Sequence, residues 1–242
     1  MMGGMDPADG VRPFRVLAVC TGNICRSPAV ERLLAVGLGA RYRGGGVDDG
    51  AGGLADDAGG PADDPGALVI ASAGTGAVVG SGMTRQMADL VRAAGGNPDG
   101  FAARQLTPAM VREADLVLAL TRRHRAAIVD LVPGAVRRTF TLRELARLAS
   151  SVDPVRLPSA SAGDAGPGAS SLEAGAASSS GADIAGRLRA LLPLAAARRG
   201  HQVSASADDD VVDPYRGDAA RYERSFHQLL PAVQAIVAVV KG

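Results

Sequence analysis

The 242-residue chain has no tryptophan, four phenylalanines and three tyrosines, so its core must be built mainly from Ala, Val and Leu. Cysteine is scarce too. Cys20 and Cys25 are too few for a disulfide-stapled secreted domain and fit thiols in a reducing compartment. Neither sign of charge dominates, since 26 basic residues face 25 acidic ones, and bulk charge gives no case for nucleic acid or an acidic membrane surface as partner. Long apolar runs are missing as well. The longest, Leu229 to Val240, is broken by Pro231 and Gln234 and is too short to span a bilayer. The opening MMGGMDPADG lacks a basic segment followed by an apolar one, so no secretory signal is expected and the protein is read as soluble and cytoplasmic. No grouping of His, Cys and carboxylates has metal-ligand spacing, so neither a metal nor a cofactor is expected.

What is present is one dense stretch. Phe14 to Val19 (FRVLAV) is a short apolar run that ends at Cys20, the pattern of a buried strand. From Pro28 onward, PAVERLLAVGL has helical apolar spacing, with Ser27 placed as N-cap and Pro28 in the first turn. The residues between them form a strand–loop–helix turn, with Cys20 at the strand end and Arg26 six positions later. Inward-pointing amides of a tight loop and a helix N-terminus together suit a phosphate-type oxyanion. The Arg26 guanidinium can grip two oxygens at once. The same field favours a thiolate, which makes Cys20 the candidate nucleophile.

The pattern C-x-G-N-x-C-R-S-P after a strand resembles the phosphate loop of low-molecular-weight protein tyrosine phosphatases, which lies near the N-terminus in that family as it does here. The resemblance implies that Cys20 forms a cysteinyl-phosphate intermediate and that Arg26 holds the equatorial oxygens. It implies binding and loop-support roles for Thr21, Gly22, Asn23, Ile24, Cys25 and Ser27, with Ser27 donating to the Cys20 thiolate. Cys25 has two readings: a disulfide partner for oxidised Cys20, which the resemblance implies, or a residue that fills space behind the loop. Relatives that remove phosphate from arginine carry Thr where Ile24 stands, so Ile24 matches the tyrosine-specific type.

Strands alternate with helices along the rest of the chain, which predicts an α/β fold with a parallel sheet and helices on both faces. Such folds place an anion site at the C-terminal ends of the strands. The resemblance implies four strands and covers about residues 14–42, 67–148 and 183–242. Residues 1–13 read as a flexible tail, and 14–242 as one domain with low-complexity insertions at about 43–66 and 150–182. The second strand, Ala67 to Ala71, runs into Ser72-Ala73-Gly74-Thr75, similar to the family's S-A-G-T segment, and by that match Ser72 supports the loop through Asn23. Helices are expected at 84–94, 108–114, 121–132 and 142–149, the middle two around a strand at 115–120, and a fourth strand at 136–140. The cluster Arg122, Arg123, His124, Arg125 reads as a solvated helix face. A helix at 183–199 is expected to bend or split at Pro193, and a last one at 219–241 to kink at Pro231 and pack on the sheet.

Between those helices, Asp213-Pro214-Tyr215 matches the family's D-P-Y loop. By that match Asp213 is the general acid, while Tyr215 could stack on a substrate ring. Two positions depart from the family's pattern. Ala77, Val78 and Val79 stand where an aromatic wall is common, and Phe101 stands where a His often bonds the loop-supporting Asn, so a wider pocket and a less rigid loop are expected. The implied activity is hydrolysis of phosphotyrosine in proteins, with no nucleic-acid or membrane partner. The alternatives are an arsenate reductase of the same fold using an external thiol, and a non-catalytic phosphoprotein-binding module. No cysteine follows Cys25 to relay electrons for the thioredoxin-coupled type of reductase.

Overall fold

A computed structural model describes residues 12–42, 68–159, 181–199 and 209–242. Nearly all of the N-terminal tail, the insertion at 43–66 and residues 160–180 of the second low-complexity stretch lie outside the described residues. Five parallel strands, β1 (Phe14–Cys20), β2 (Arg41–Tyr42), β3 (Leu68–Gly74), β4 (Leu116–Ala119) and β5 (Thr139–Thr141), form one sheet in the order β2-β3-β1-β4-β5. The expected four strands become five because β2 is a two-residue edge strand against Val69 and Ile70, too short to show any alternation. The strand expected at Val136–Phe140 also moves. Pro133–Arg138 is a 3-10 turn and only Thr139–Thr141 pairs with β4.

Period-2 alternation along β1 builds a core on each face of the sheet. Phe14, Val16 and Ala18 join Ile70, Leu116 and Leu118 in the larger core. That core is covered by α1 (Arg26–Leu38), α2 (Arg85–Ala93), α5 (Leu142–Ser150), α6 (Gly181–Arg198) and α7 (Ala219–Lys241). Leu17 and Val19 face the opposite way, with Ala73, Val117 and Ala119, against α3 (Pro108–Glu113) and α4 (Arg122–Leu131). Small aliphatic residues fill both layers, as the composition requires.

Thr107 caps α3 by accepting from Met110 N, and Thr141 forms a capping box with Glu144 at α5. Ser27 is not the cap of α1. That position belongs to Cys25, which makes no side-chain capping bond, and Ser27 lies inside the first turn with its hydroxyl committed to the loop. Helices α6 and α7 run unbroken past Pro193 and Pro231. The apolar face of α7, with Tyr222, Phe226, Leu229 and Val233 buried, packs chiefly on α1 and α5. Order persists past Ser150, where the sequence loses pattern: Val152 and Leu157 are buried around the 3-10 turn Pro154–Arg156.

Strand β1 is central. The chain leaves it for β2 and β3 on one side and crosses back to β4 on the other, so the loop after β1 stands at a point where the direction of winding reverses.

Candidate active site

The loop after β1 is shaped from outside by the segment that follows β3. The carbonyls of Cys20, Thr21, Gly22 and Ile24 accept hydrogen bonds from the backbone amides of Thr75, Gly76, Val78 and Thr84, at 3.0, 3.0, 3.0 and 2.8 Å. All peptide bonds described are trans, so each carbonyl fixed outward turns the next amide inward. The amides of Thr21, Gly22, Asn23 and Cys25 thereby face the hollow of the loop, ahead of the N-terminus of α1. Gly74 pairs with Cys20 across β1 and β3. A side chain there would overlap the Thr21 carbonyl oxygen, so the S-A-G-T segment needs glycine at this position.

Asn23 holds the loop from behind. It has a left-handed backbone (φ 54°) and is fully buried. Its Nδ2 donates to Ser27 Oγ and to Ser72 Oγ, both at 2.9 Å, and its Oδ1 accepts from Arg104 N at 2.7 Å. Ser72 in turn donates to Glu31 Oε2 at 2.6 Å. The Ser72–Asn23 contact expected by resemblance is therefore present. The Arg104 amide donates to Asn23, and Phe101 lies buried near the Arg32 guanidinium. Glu31 carries no mark in the sequence, since its partners Ser72 and Arg104 lie in distant segments.

Cys20 is buried at the floor of the cleft, its Sγ 2.9 Å from Ser27 Oγ. Arg26 is buried beside it, donating from Nη1 to Val211 O (3.0 Å) and pairing through Nη2 with Asp213 Oδ2 (2.8 Å). Asp213 is positioned by its loop: Tyr215 N donates to Oδ1 at 3.2 Å and Arg221 Nε donates to its carbonyl at 2.7 Å. The residues before it are tied down as well, since Val211 N bonds Leu120 O and Asp210 accepts from Arg122 N. Asp209 pairs with Arg147, so two members of the acidic run serve as anchors. Cys20, Thr21, Gly22, Ile24, Cys25, Arg26, Asp213 and Tyr215 line one cleft together with Gly76 and Val78, whereas Asn23, Ser27 and Ser72 lie behind it. Val78 and the half-exposed Tyr215 both contribute to its lining.

Cys25 is a free buried thiol whose Sγ lies 3.3 Å from Thr84 Oγ1 and 3.8 Å from Tyr222 Oη; burial pushes it up, against the pull of those hydroxyls. No set of three or more His, Cys, Asp or Glu residues able to hold a metal occurs among the described residues.

His124 corrects the reading of the basic cluster. Its ring is buried, with Nε2 2.9 Å from Thr21 Oγ1 and Nδ1 2.9 Å from Thr121 Oγ1. His124 and Ile128, four residues apart, form the inward face of α4, and that spacing was the available signal. Burial first, and then Arg26, depress the imidazole to about 4. The unfolded chain, near 6.5, therefore takes up this proton first as pH falls. The contribution of His124 to stability is whole above about pH 6.5 and is lost as pH falls through 4, by up to about 3 kcal/mol. Urea midpoints between pH 7 and pH 4 are expected to fall less steeply for His124→Gln than for wild type. Parallel slopes would remove His124 as a source of acid sensitivity.

The site thus sets a buried cysteine and a buried arginine on the loop that follows the central strand of a parallel α/β fold. A model of the low molecular weight phosphotyrosine protein phosphatase family matches residues 62–154. The Etp low molecular weight protein-tyrosine-phosphatase of Escherichia coli K12 is 32% identical over 141 residues, covering 58% of this chain and 77% of Etp. The Wzb enzyme of Salmonella typhi is 34% identical over 119 residues, which span 49% of this chain and 62% of Wzb. The chain belongs to the low molecular weight protein-tyrosine-phosphatase family. The solved Erwinia amylovora tyrosine phosphatase AmsI shares the fold, with a TM-score of 0.53 at 20% identity over 93% of this chain and 91% of that one. So does the YwlE arginine phosphatase of Geobacillus stearothermophilus, with a TM-score of 0.53 at 21% identity over 93% and 92% of the two chains.

Proposed function

We propose that this protein hydrolyses phosphotyrosine in protein substrates through a cysteinyl-phosphate intermediate. The observation that carries the reading is that Cys20, Arg26 and Asp213, from three separate segments, meet in one cleft lined by inward-facing amides. Cys20 as thiolate, receiving the Ser27 hydroxyl bond, attacks phosphorus and displaces the phenolate. Arg26 and the amides of Thr21, Gly22, Asn23 and Cys25 neutralise the equatorial oxygens as charge redistributes in the transition state. Asp213 protonates the departing phenolate, then as carboxylate takes a proton from the water that cleaves the sulfur–phosphorus bond. That water leaves as part of inorganic phosphate, and Cys20 returns to thiolate. Ile24 and Val78 give the cleft an apolar lining, and Tyr215 offers an aromatic wall for a phenyl ring.

The proposed setting is the cytoplasm, with tyrosine-phosphorylated proteins as partners. Among the described residues no helix is long and apolar enough to cross a membrane.

The test is hydrolysis of para-nitrophenyl phosphate and of a phosphotyrosyl peptide across pH. Asp213→Ala is expected to slow the peptide reaction by about 10²-fold or more, and para-nitrophenyl phosphate by less, because nitrophenolate leaves with little help. Equal loss of kcat/KM on both substrates, a parameter that reports leaving-group departure and not the later water step, would take the general-acid role away from Asp213.

A further inference from the structure

His124 is a buried group beside the cleft to which the chemistry above gives no task. Its hydrogen-bond chain can be followed proton by proton. A neutral imidazole carries one N–H and one bare nitrogen, and each threonine hydroxyl carries one proton. Thr121 Oγ1 already accepts the His124 backbone amide at 3.2 Å. In one arrangement Thr121 donates to Nδ1 and the Nε2 proton is donated to Thr21 Oγ1. The one proton of this chain of bonds then left over is that of the Thr21 hydroxyl. In the other arrangement Thr21 donates to Nε2 and Nδ1 donates to Thr121, and the Thr121 proton is left over. Thr121 is partly buried, with no further acceptor among the described contacts, whereas Thr21 is exposed and lines the cleft. Spare donors belong where an acceptor can reach them, which selects the first arrangement.

We propose that His124 is a positioning residue that holds the Thr21 hydroxyl so that it donates a hydrogen bond to an oxygen of the phosphorylated substrate. The inference rests on the phosphatase reading. Burial and the nearby Arg26 keep the ring neutral at physiological pH, so it carries the single proton that the arrangement needs. A charged ring would change only the Thr121 bond, since Nε2 donates to Thr21 in either state.

Steady-state kinetics on para-nitrophenyl phosphate and on a phosphotyrosyl peptide test this. Thr21→Val keeps the shape and removes the donor, and is expected to raise KM about tenfold with a much smaller change in kcat. A rise on both substrates assigns the acceptor to a phosphate oxygen, and a rise on the peptide alone assigns it to a peptide carbonyl. Thr21→Ser restores the hydroxyl and is expected to bring KM back to within about twofold of wild type. His124→Ala is expected to raise KM in the same direction, and to add little when combined with Thr21→Val. Thermal midpoints of all variants separate these effects from misfolding. Wild-type KM for Thr21→Val on both substrates, or failure of Thr21→Ser to rescue, overturns the inference. Absence of wild-type turnover counts against the phosphatase reading itself. Calorimetric binding of the same phosphopeptide then decides the role of the Thr21 hydroxyl, and equal Kd for wild type and Thr21→Val, or no binding by either, overturns it.

Discussion

Cys20→Ser is expected to hydrolyse para-nitrophenyl phosphate more than about 10⁴-fold more slowly than wild type, with an unchanged thermal midpoint. The substitution exchanges one atom. A thiol is intrinsically a far better nucleophile toward phosphorus than a serine hydroxyl, which stays protonated at neutral pH. The loop should survive the change, because its shape depends on Asn23, Ser72 and the outward-bound carbonyls rather than on the Cys20 side chain. Cys25→Ser is the matched control. Cys25 is held toward Thr84, and burial keeps its thiol protonated, so its replacement is expected to cost less than about tenfold in kcat. Were Cys20→Ser to hydrolyse phosphate esters like wild type, the covalent route would be wrong, whatever the geometry.

The loop was legible in the sequence because its signals are local. A short apolar run stops at Cys20, helical spacing starts by Pro28, and the Gly, Asn, Arg and Ser between them sit within ten residues. Thr107 just before Pro108, and Thr141 three residues before Glu144, are local signals of the same kind. What escaped notice depends on partners far away in the chain. The acceptor of Ser72 is Glu31, 41 residues earlier, and Arg104 reaches the same carboxylate from 73 residues later. Nothing in PAVERLLAV distinguishes a buried Glu from an exposed one. His124 was hidden differently, inside a string of arginines whose exposed neighbours set the apparent character of the helix. Strand β2 was missed because two residues carry no period, and its pairing with β3 comes from the fold closing around it.

Glu31→Ala is expected to destabilise the fold by about 3–5 kcal/mol, because it strands buried positive charge. Glu31 is fully buried in α1, and burial pushes its carboxyl up, opposed by Arg104, by the Ser72 hydroxyl and by Arg32. Arg104 Nη2 lies 3.3 Å from Oε2 and Arg32 Nε 3.6 Å from Oε1. Truncation leaves the buried Arg32 guanidinium without this carboxylate, with the Tyr42 ring 3.7 Å and the Phe101 ring 5.8 Å away and the weaker pull of Asp99 to ease its charge. With a loss of that order the melting temperature is expected to drop by roughly 10 °C. Activity should fall too, because Ser72 loses its acceptor and Asn23 loses a fixed partner behind the loop. Glu31→Gln retains an oxygen for Ser72 and should recover part of both losses. Replacing Glu31 and Arg32 together by leucine should cost less than Glu31→Ala alone, since the fully buried Arg32 charge is then gone and the partly exposed Arg104 alone loses this carboxylate. A single Glu31→Ala protein melting within about 2 °C of wild type would mean that the buried cluster adds nothing to the fold, and that Asn23 holds the loop without help from behind.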